Sequence, residues 1–307
     1  NAVIALGIAV IVLFPLASIF QGLDFTDMGY SLSRYSTVFT GQIPYESYAI
    51  YLTDLAGWSW LQLAPDMGVF GFKFAFVLLS WATAFCAYAT LRSSIPKALL
   101  VPALALATLV ITPEMQWLNY NNLSAFFLVL VSLCIQNAVD AIRNGGAGAG
   151  WCAAAAFLTC IASLVRFPNI VFSLLMLLPL VTVCRRRAIG NFLRQQAGII
   201  AGLGAGLGAM ALLVSVNGNI SGYGAWLESL FGQGGTDEKH SPLALLLRLA
   251  ADLGKMCIPL CGFFVLALVI RRVARCRHGM LASPAFWASA ALLTAGTAIY
   301  LIDATIN

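Results

Sequence analysis

The sequence predicts an all-α, polytopic membrane helical bundle of about nine transmembrane helices, with two long extracytoplasmic loops containing short interfacial helices. Three observations carry this. Of 307 residues only 9% are charged and 61% are apolar, against about 25% charged in soluble domains. Nine segments are apolar enough to cross hydrocarbon as helices, which satisfy their backbone amides without water. Lys and Arg then fall in every second connection, the mark of short cytoplasmic loops. A water-soluble globular protein is excluded, and a net charge of +5 is too scattered for nucleic-acid binding.

The first span is expected at 2–20. It opens the first long loop, 21–66, which reads as two amphipathic helices, about 29–39 and 44–63, split by Gly41 and Pro44. Tyr45, Tyr48, Tyr51, Trp58 and Trp60 suit headgroup depth, so these helices should lie along the outer interface. Spans at 67–91, 97–112, 120–141, 150–165, 168–184 and 195–216 come next. Pro113 and Pro168 punctuate two turns, making tight hairpins of the third and fourth spans and of the fifth and sixth. Gly198, Gly202, Gly204, Gly206 and Gly208 line the seventh with small residues, which lets a neighbouring helix approach closely. The second long loop, 217–252, holds a short helix around Trp226 to Phe231, then the stretch GQGGTDEKH. Ser241 and Pro242 start another helix as an N-cap with proline at its first position. The last spans are 253–271 and 284–302. Residues 1–307 are read as a single transmembrane domain, and a start at Asn with an end soon after the ninth span implies a fragment of a longer chain.

One set of connections carries Arg92, Lys97, Arg143, Arg185, Arg186, Arg187, Arg194, Arg271, Arg272, Arg275 and Arg277, joined only by Asp140. The other eleven acids fall on the opposite side. This places the N-terminus in the cytoplasm and the long loops outside, and the short loops fit a bacterial inner membrane. The eight cysteines lie in spans or at their cytoplasmic ends. They include no CxxC pair, so small buried core residues are expected rather than disulfides or a zinc site.

Charge is therefore scarce, and its outer members are the candidates for chemistry. Asp24 and Asp27, in Asp24-Phe25-Thr26-Asp27-Met28-Gly29-Tyr30, can converge on one point. One would act as general base for a hydroxyl while the other orients it or shares a divalent cation, Mg or Mn. Gly29 leaves the backbone room to approach a ligand. Glu114 is the one ionisable group of the next outer turn, beside Gln116, Asn119, Asn121 and Asn122, whose amides suit either a helix cap or a hydroxyl-rich ligand. Arg166 is the lone cation of the hairpin tip Leu164-Val165-Arg166-Phe167-Pro168. Its planar fork would hold the phosphate of a lipid or of a ligand. Arg248, Asp252 and Lys255 share a helical face, as a salt-bridge ladder or a second phosphate site. Lys73 sits high enough in its span to snorkel. No ionisable residue is expected at mid-membrane, where a proton- or ion-coupled transporter would carry one.

These features together resemble the polytopic GT-C glycosyltransferases, the superfamily of protein mannosyltransferases and aminoarabinose transferases. The likeness rests on a first span followed by the aspartate motif Asp24 to Tyr30, a long first outer loop with two interfacial helices, Glu114 in the next outer turn, and lone outer cations. It implies transfer of a sugar from a polyprenyl-phosphate donor to a glycan, lipid or protein acceptor outside the membrane. Asp27 would be the base. Where the family often has Asp-Glu, Met28 follows Asp27 here, so Asp24 is expected to stand in for the glutamate. Tyr30, Glu114 and Asn121 would help bind the substrates, and Arg166, with Arg248 and Lys255, would neutralise the leaving lipid phosphate. The alternatives are a lipid-linked glycan flippase or similar transporter, and a scaffold subunit without activity.

Overall fold

A computed structural model describes residues 2–22, 27–40, 45–112, 116–170, 173, 177, 189–217 and 220–232. Asp24, Glu114, Arg248 and Lys255, the two last predicted spans and most of 168–184 lie outside these residues. The chain divides into two compact units, Asn1–Trp226 and Leu227–Asn307. The described helices fall in the first unit, save for the closing residues of the final one.

The described residues are helical, with no strand among them. In chain order they form α1 (Ala2–Ser18), α2 (Asp27–Thr37), a 3-10 turn (Tyr45–Ile50) leading into α3 (Tyr51–Leu63), a second 3-10 turn (Pro65–Met67), α4 (Gly68–Leu91), α5 (Lys97–Ile111), α6 (Tyr120–Arg143), α7 (Ala149–Val165), α8 (Ile189–Asn217) and α9 (Ile220–Gly232). Three stretches are long and apolar enough to cross a membrane: Pro65–Leu91, Tyr120–Arg143 and Gly190–Val216. Ala2–Ser18, Lys97–Val110 and Ala149–Val165 are shorter apolar helices. Large apolar side chains such as Leu6, Phe85, Leu106 and Ile200 are more than 60% exposed, a surface that suits lipid. The chain is thus a membrane protein by composition and by the surface it presents.

Two sets of contacts fix the helix order. α4 runs antiparallel to α1: the Trp81 indole donates to the Val12 carbonyl at 3.2 Å, and Lys73 Nζ donates to the Gln21 and Gly22 carbonyls at 2.6 and 3.1 Å. Lys73 is only 2% exposed, so instead of snorkelling to headgroups it ties down the chain where it leaves α1. α7 and α8 lie side by side in the same direction. Cβ atoms added at Gly198 and Gly202 would strike the Ala149 and Ala153 carbonyls, and one at Gly206 would stand 2.7 Å from Cys160 Cβ. Removing the side chain every fourth residue is what permits the approach. Cys134, Cys152 and Cys160 are buried, as expected of core residues, whereas Cys86 is only half-buried.

Two short helical segments stand close to where the first long loop predicts them. α2 spans Asp27–Thr37, and the second is a 3-10 turn continued by α3. α2 buries Met28 and Tyr35 against Phe72, Ala75 and Leu118. Gly57 on α3 makes room for the Tyr35 ring, which a Cβ there would overlap.

Candidate functional site

The end of the bundle that carries α2 and α3 also carries most of the buried polar contacts between distant segments. Its centre is an ion pair. Arg34 Nη2 of α2 stands 2.8 Å from Asp54 Oδ1 of α3, and the two side chains are 12% and 0% exposed. Burial pushes the Asp54 carboxyl up to about 6, while Arg34 and the neighbouring Ser47 hydroxyl pull it the other way. Desolvation therefore outweighs the attraction, as it commonly does for charges taken out of water. Arg34 also reaches the surface, where its guanidinium lies 5.4 Å from the centre of the Tyr30 ring. Tyr30 is 56% exposed, so it presents an aromatic face held from below by a buried cation.

Next to this pair, Tyr35 donates its hydroxyl to the Leu118 carbonyl at 3.1 Å. Burial is the main reason its pKa lies well above the usual phenol range. Leu118 enters the start of α6, where Asn119 Oδ1 accepts from the amides of Asn121 and Asn122, and Asn122 Oδ1 accepts from the Asn119 amide at 3.0 Å. This reciprocal cap satisfies amides that a helix start leaves open. Asn119 and Asn122 are thereby committed to structure. Asn121 keeps its side chain for another partner: its Oδ1 accepts from Arg166 Nη1 at 3.4 Å, and the Arg166 guanidinium lies 5.0 Å from the centre of the Tyr120 ring. Arg166 is exposed. One face of its fork is stacked and one N–H directed, so the remaining N–H groups are oriented for an anion.

The same first loop is locked to the end of α7. Thr53 Oγ1 donates to the Val165 carbonyl at 3.0 Å, and the Phe167 amide donates to the Ala49 carbonyl at 3.2 Å. Tyr51, with its hydroxyl pKa pushed up to about 12 by burial, donates to the Leu213 carbonyl at 3.1 Å. Tyr48, Tyr51, Tyr223 and Trp226 form a run of ring contacts 5.5 to 6.5 Å between centres. These rings are packed against one another, which favours anchoring over sugar stacking.

Beneath this end, a furrow of about 320 Å³ runs between α4, α5 and α6. Leu79, Ala87, Leu104 and Val129 line it, and Thr112 and Asn122 stand at its end near the α6 cap. Its Thr83 and Thr108 hydroxyls donate to the Leu79 and Leu104 carbonyls of their own helices. The wall thus offers apolar contact with its hydroxyls already engaged.

Of the residues expected to act, Asp27 is the exposed first residue of α2, one turn before Tyr30. Asn121 and Arg166 touch; Tyr30 sits on Arg34. Sequence reasoning missed Arg34 and counted Asp54 only as one outer acid among many. Arg34 carried a usable signal: it is the one cation of the segment 21–66, whose other charged residues are all acids. Among the described residues no three His, Cys, Asp or Glu side chains converge on a point. The divalent cation expected at Asp24 and Asp27 would draw one of its two carboxylates from Asp24, which lies outside the described residues. No protein-family model matches the chain, and no curated protein or solved structure is similar to it.

Proposed function

We propose that the chain is a nine-span membrane glycosyltransferase of the GT-C kind, in a bacterial inner membrane, with the α2 and α3 end facing outward. It would move a sugar from a polyprenyl-phosphate donor to a glycan, lipid or protein hydroxyl. The observation that carries this reading is the meeting at one end of the bundle of an apolar furrow, a stacked and directed guanidinium at Arg166, and an exposed carboxylate with an aromatic ring at Asp27 and Tyr30. A lipid-linked sugar has this same division into hydrocarbon, phosphate and hydroxyl-rich parts.

In this scheme the polyprenyl tail lies along the furrow and the phosphate meets Arg166. Asp27 takes the proton of the acceptor hydroxyl, whose oxygen attacks the anomeric carbon from the side opposite the phosphate. The bond from sugar to phosphate oxygen breaks, and the lipid phosphate leaves with the electron pair. Arg166 stabilises the charge that grows on the leaving group, a role that rewards a cation already fixed in place. Asp24 and Glu114 would orient the acceptor, and Arg248 and Lys255 would add positive charge beside the phosphate. The Arg34 and Asp54 pair is a positioning element, since it touches Tyr30 and not the reacting atoms.

The full chain in vesicles, given a polyprenyl-phosphate sugar labelled in the sugar, tests this directly. Release of lipid phosphate with labelled acceptor is expected, and Asp27→Asn should lower the rate by at least about a hundredfold, as loss of a general base does. An Asp27→Asn protein of full activity would sink the base assignment. Movement of intact donor between leaflets without cleavage would replace the transferase with a transporter.

A further inference from the structure

A second furrow, larger than the first, lies toward the other end of the bundle. It measures about 480 Å³ and is bounded by Ile4, Ile8 and Ile11 of α1, Phe85 and Tyr88 of α4, and Lys97 of α5. Ile8 and Phe85 are 51% and 71% exposed, so the furrow opens sideways toward lipid and is entered from the bilayer. From Ile4 to Val12, where the Trp81 indole crosses to the Val12 carbonyl, α1 rises about 12 Å at 1.5 Å per residue. That is less than half of a hydrocarbon core of about 30 Å. The space is one leaflet deep and suits an acyl chain from that leaflet.

The open end of this furrow is basic. Lys97 is the exposed first residue of α5, and Arg92 is the exposed residue that caps α4 one turn after Tyr88. Neither meets a carboxylate among the described residues, whose two ion pairs are Arg34 with Asp54 and Arg143 with Asp140. Among the described residues no acid lines the furrow. Two unpaired cations and a phenol at the headgroup end of a slot one leaflet deep complement an anionic phosphate, with the Tyr88 hydroxyl available to a glycerol oxygen. A zwitterionic headgroup brings its own cation toward them and loses that advantage.

We infer that this furrow is a binding site for an anionic phospholipid of the leaflet on the Arg92 and Lys97 side, one acyl chain between α1 and α4 and the phosphate on Lys97 and Arg92. The site is separate from the proposed transfer site and requires only that the protein sit in a membrane. It would hold α1 against α4 and α5, whose mutual contacts include the close approach of Gly7 to Val101.

The test is add-back to the delipidated full chain, with phosphatidylglycerol or phosphatidylcholine of identical acyl chains, read by native mass spectrometry. The unaltered protein is expected to retain phosphatidylglycerol about thirtyfold better, the scale of two near-surface cations. The double variant Arg92→Ala with Lys97→Ala should lose that preference. Ile8→Trp, which fills the slot, should lower retention of both lipids. Arg143→Ala, at the same end but outside the furrow, should leave the preference intact. Equal retention of the two lipids by the unaltered protein would overturn the inference. So would a preference that survives the double variant, unchanged retention in Ile8→Trp, or an equal loss in Arg143→Ala.

Discussion

The α7–α8 contact and the seat of α2 and α3 on the bundle are both tight, but they are built from opposite materials. Between α7 and α8, Gly198, Gly202 and Gly206 meet Ala149, Ala153 and Cys160. Backbone lies against backbone, with long sulfur contacts at Cys160 and Met210 and little specificity beyond shape. The seat of α2 and α3 instead joins groups 83, 112 and 162 residues apart through Tyr35, Thr53 and Tyr51 hydroxyls, around a buried ion pair. A packed seam costs little and positions nothing but helices. A polar seat is expensive to desolvate, and in return fixes Tyr30 and the turn bearing Tyr120 and Asn121. The difference marks the end of the molecule where something has to be met in a defined orientation.

The strongest way to break that comparison is to remove the cation of the pair. In Arg34→Met, Asp54 stays buried without its partner, and loss of stability by about 3–5 kcal/mol is expected at pH 8. The pH dependence comes from the sign of the shift. Asp54 titrates at about 6 in the folded chain against an ordinary value of 3.8, so the folded state holds its proton to higher pH than the unfolded state. This group's contribution is therefore fully present below about pH 4, is lost as pH rises through 6, and is flat above. Arg34→Met removes a cation that holds the carboxyl down, so the decline should extend beyond pH 6 and the penalty should shrink at pH 5. Unfolding by denaturant in micelles at both values reads this. Pairing the change with Asp54→Leu should bring stability back to within about 1 kcal/mol of the parent. An equal penalty for Arg34→Met at pH 5 and pH 8 would show that shape, not charge, holds α2 to α3.

The seam is the next target, with an effect of similar kind and smaller size. Gly202→Val should cost about 2–3 kcal/mol, because its Cβ would run into the Ala153 backbone, which cannot swing aside. Gly204→Val, on the same helix with open space at its Cβ, should change stability by no more than about 0.5 kcal/mol. Unlike Arg34→Met, neither should respond to pH. If the two valines cost the same, helix propensity and not close approach governs this seam.

The two regions also differ in how far they can be read from the sequence. Glycines at four-residue spacing announce a close helix contact by themselves, since the periodicity is local, and the apolar runs announce the helices. The aromatic, Gly- and Pro-split segment 21–66 likewise announces two short helices close to where α2 and α3 lie. The polar seat is another matter. Nothing within ten residues of Arg34 says that Asp54 is its partner, and nothing near Tyr35 points to the Leu118 carbonyl. Asn119, Asn121 and Asn122 look alike in sequence; only the cap geometry separates the two that serve the backbone from the one that reaches Arg166. Scarcity of charge singles out Arg166 in its hairpin tip, and the same reasoning applied to α2 leads to Arg34.

The smallest expected change in stability carries the most information about the site. Arg166 is exposed and makes a long contact to Asn121 and a stacking contact to Tyr120, so Arg166→Lys should shift unfolding by no more than about 0.5 kcal/mol. A lysine keeps the charge but loses the planar fork that Tyr120 and Asn121 hold in place. If Arg166 only snorkels to bulk lipid phosphate, a lysine does that equally well and transfer from a polyprenyl-phosphate sugar is unaffected. If it receives the leaving phosphate in a fixed orientation, turnover should fall by about tenfold or more, with a smaller change in the donor KM, because the orientation matters most as the bond breaks. Asn121→Ala and Tyr120→Leu, which free the fork without altering its charge, should then each reproduce part of the loss in turnover. A full rate in all three variants would reduce Arg166 to a lipid anchor and move the search for the phosphate site to the other cations of the same end.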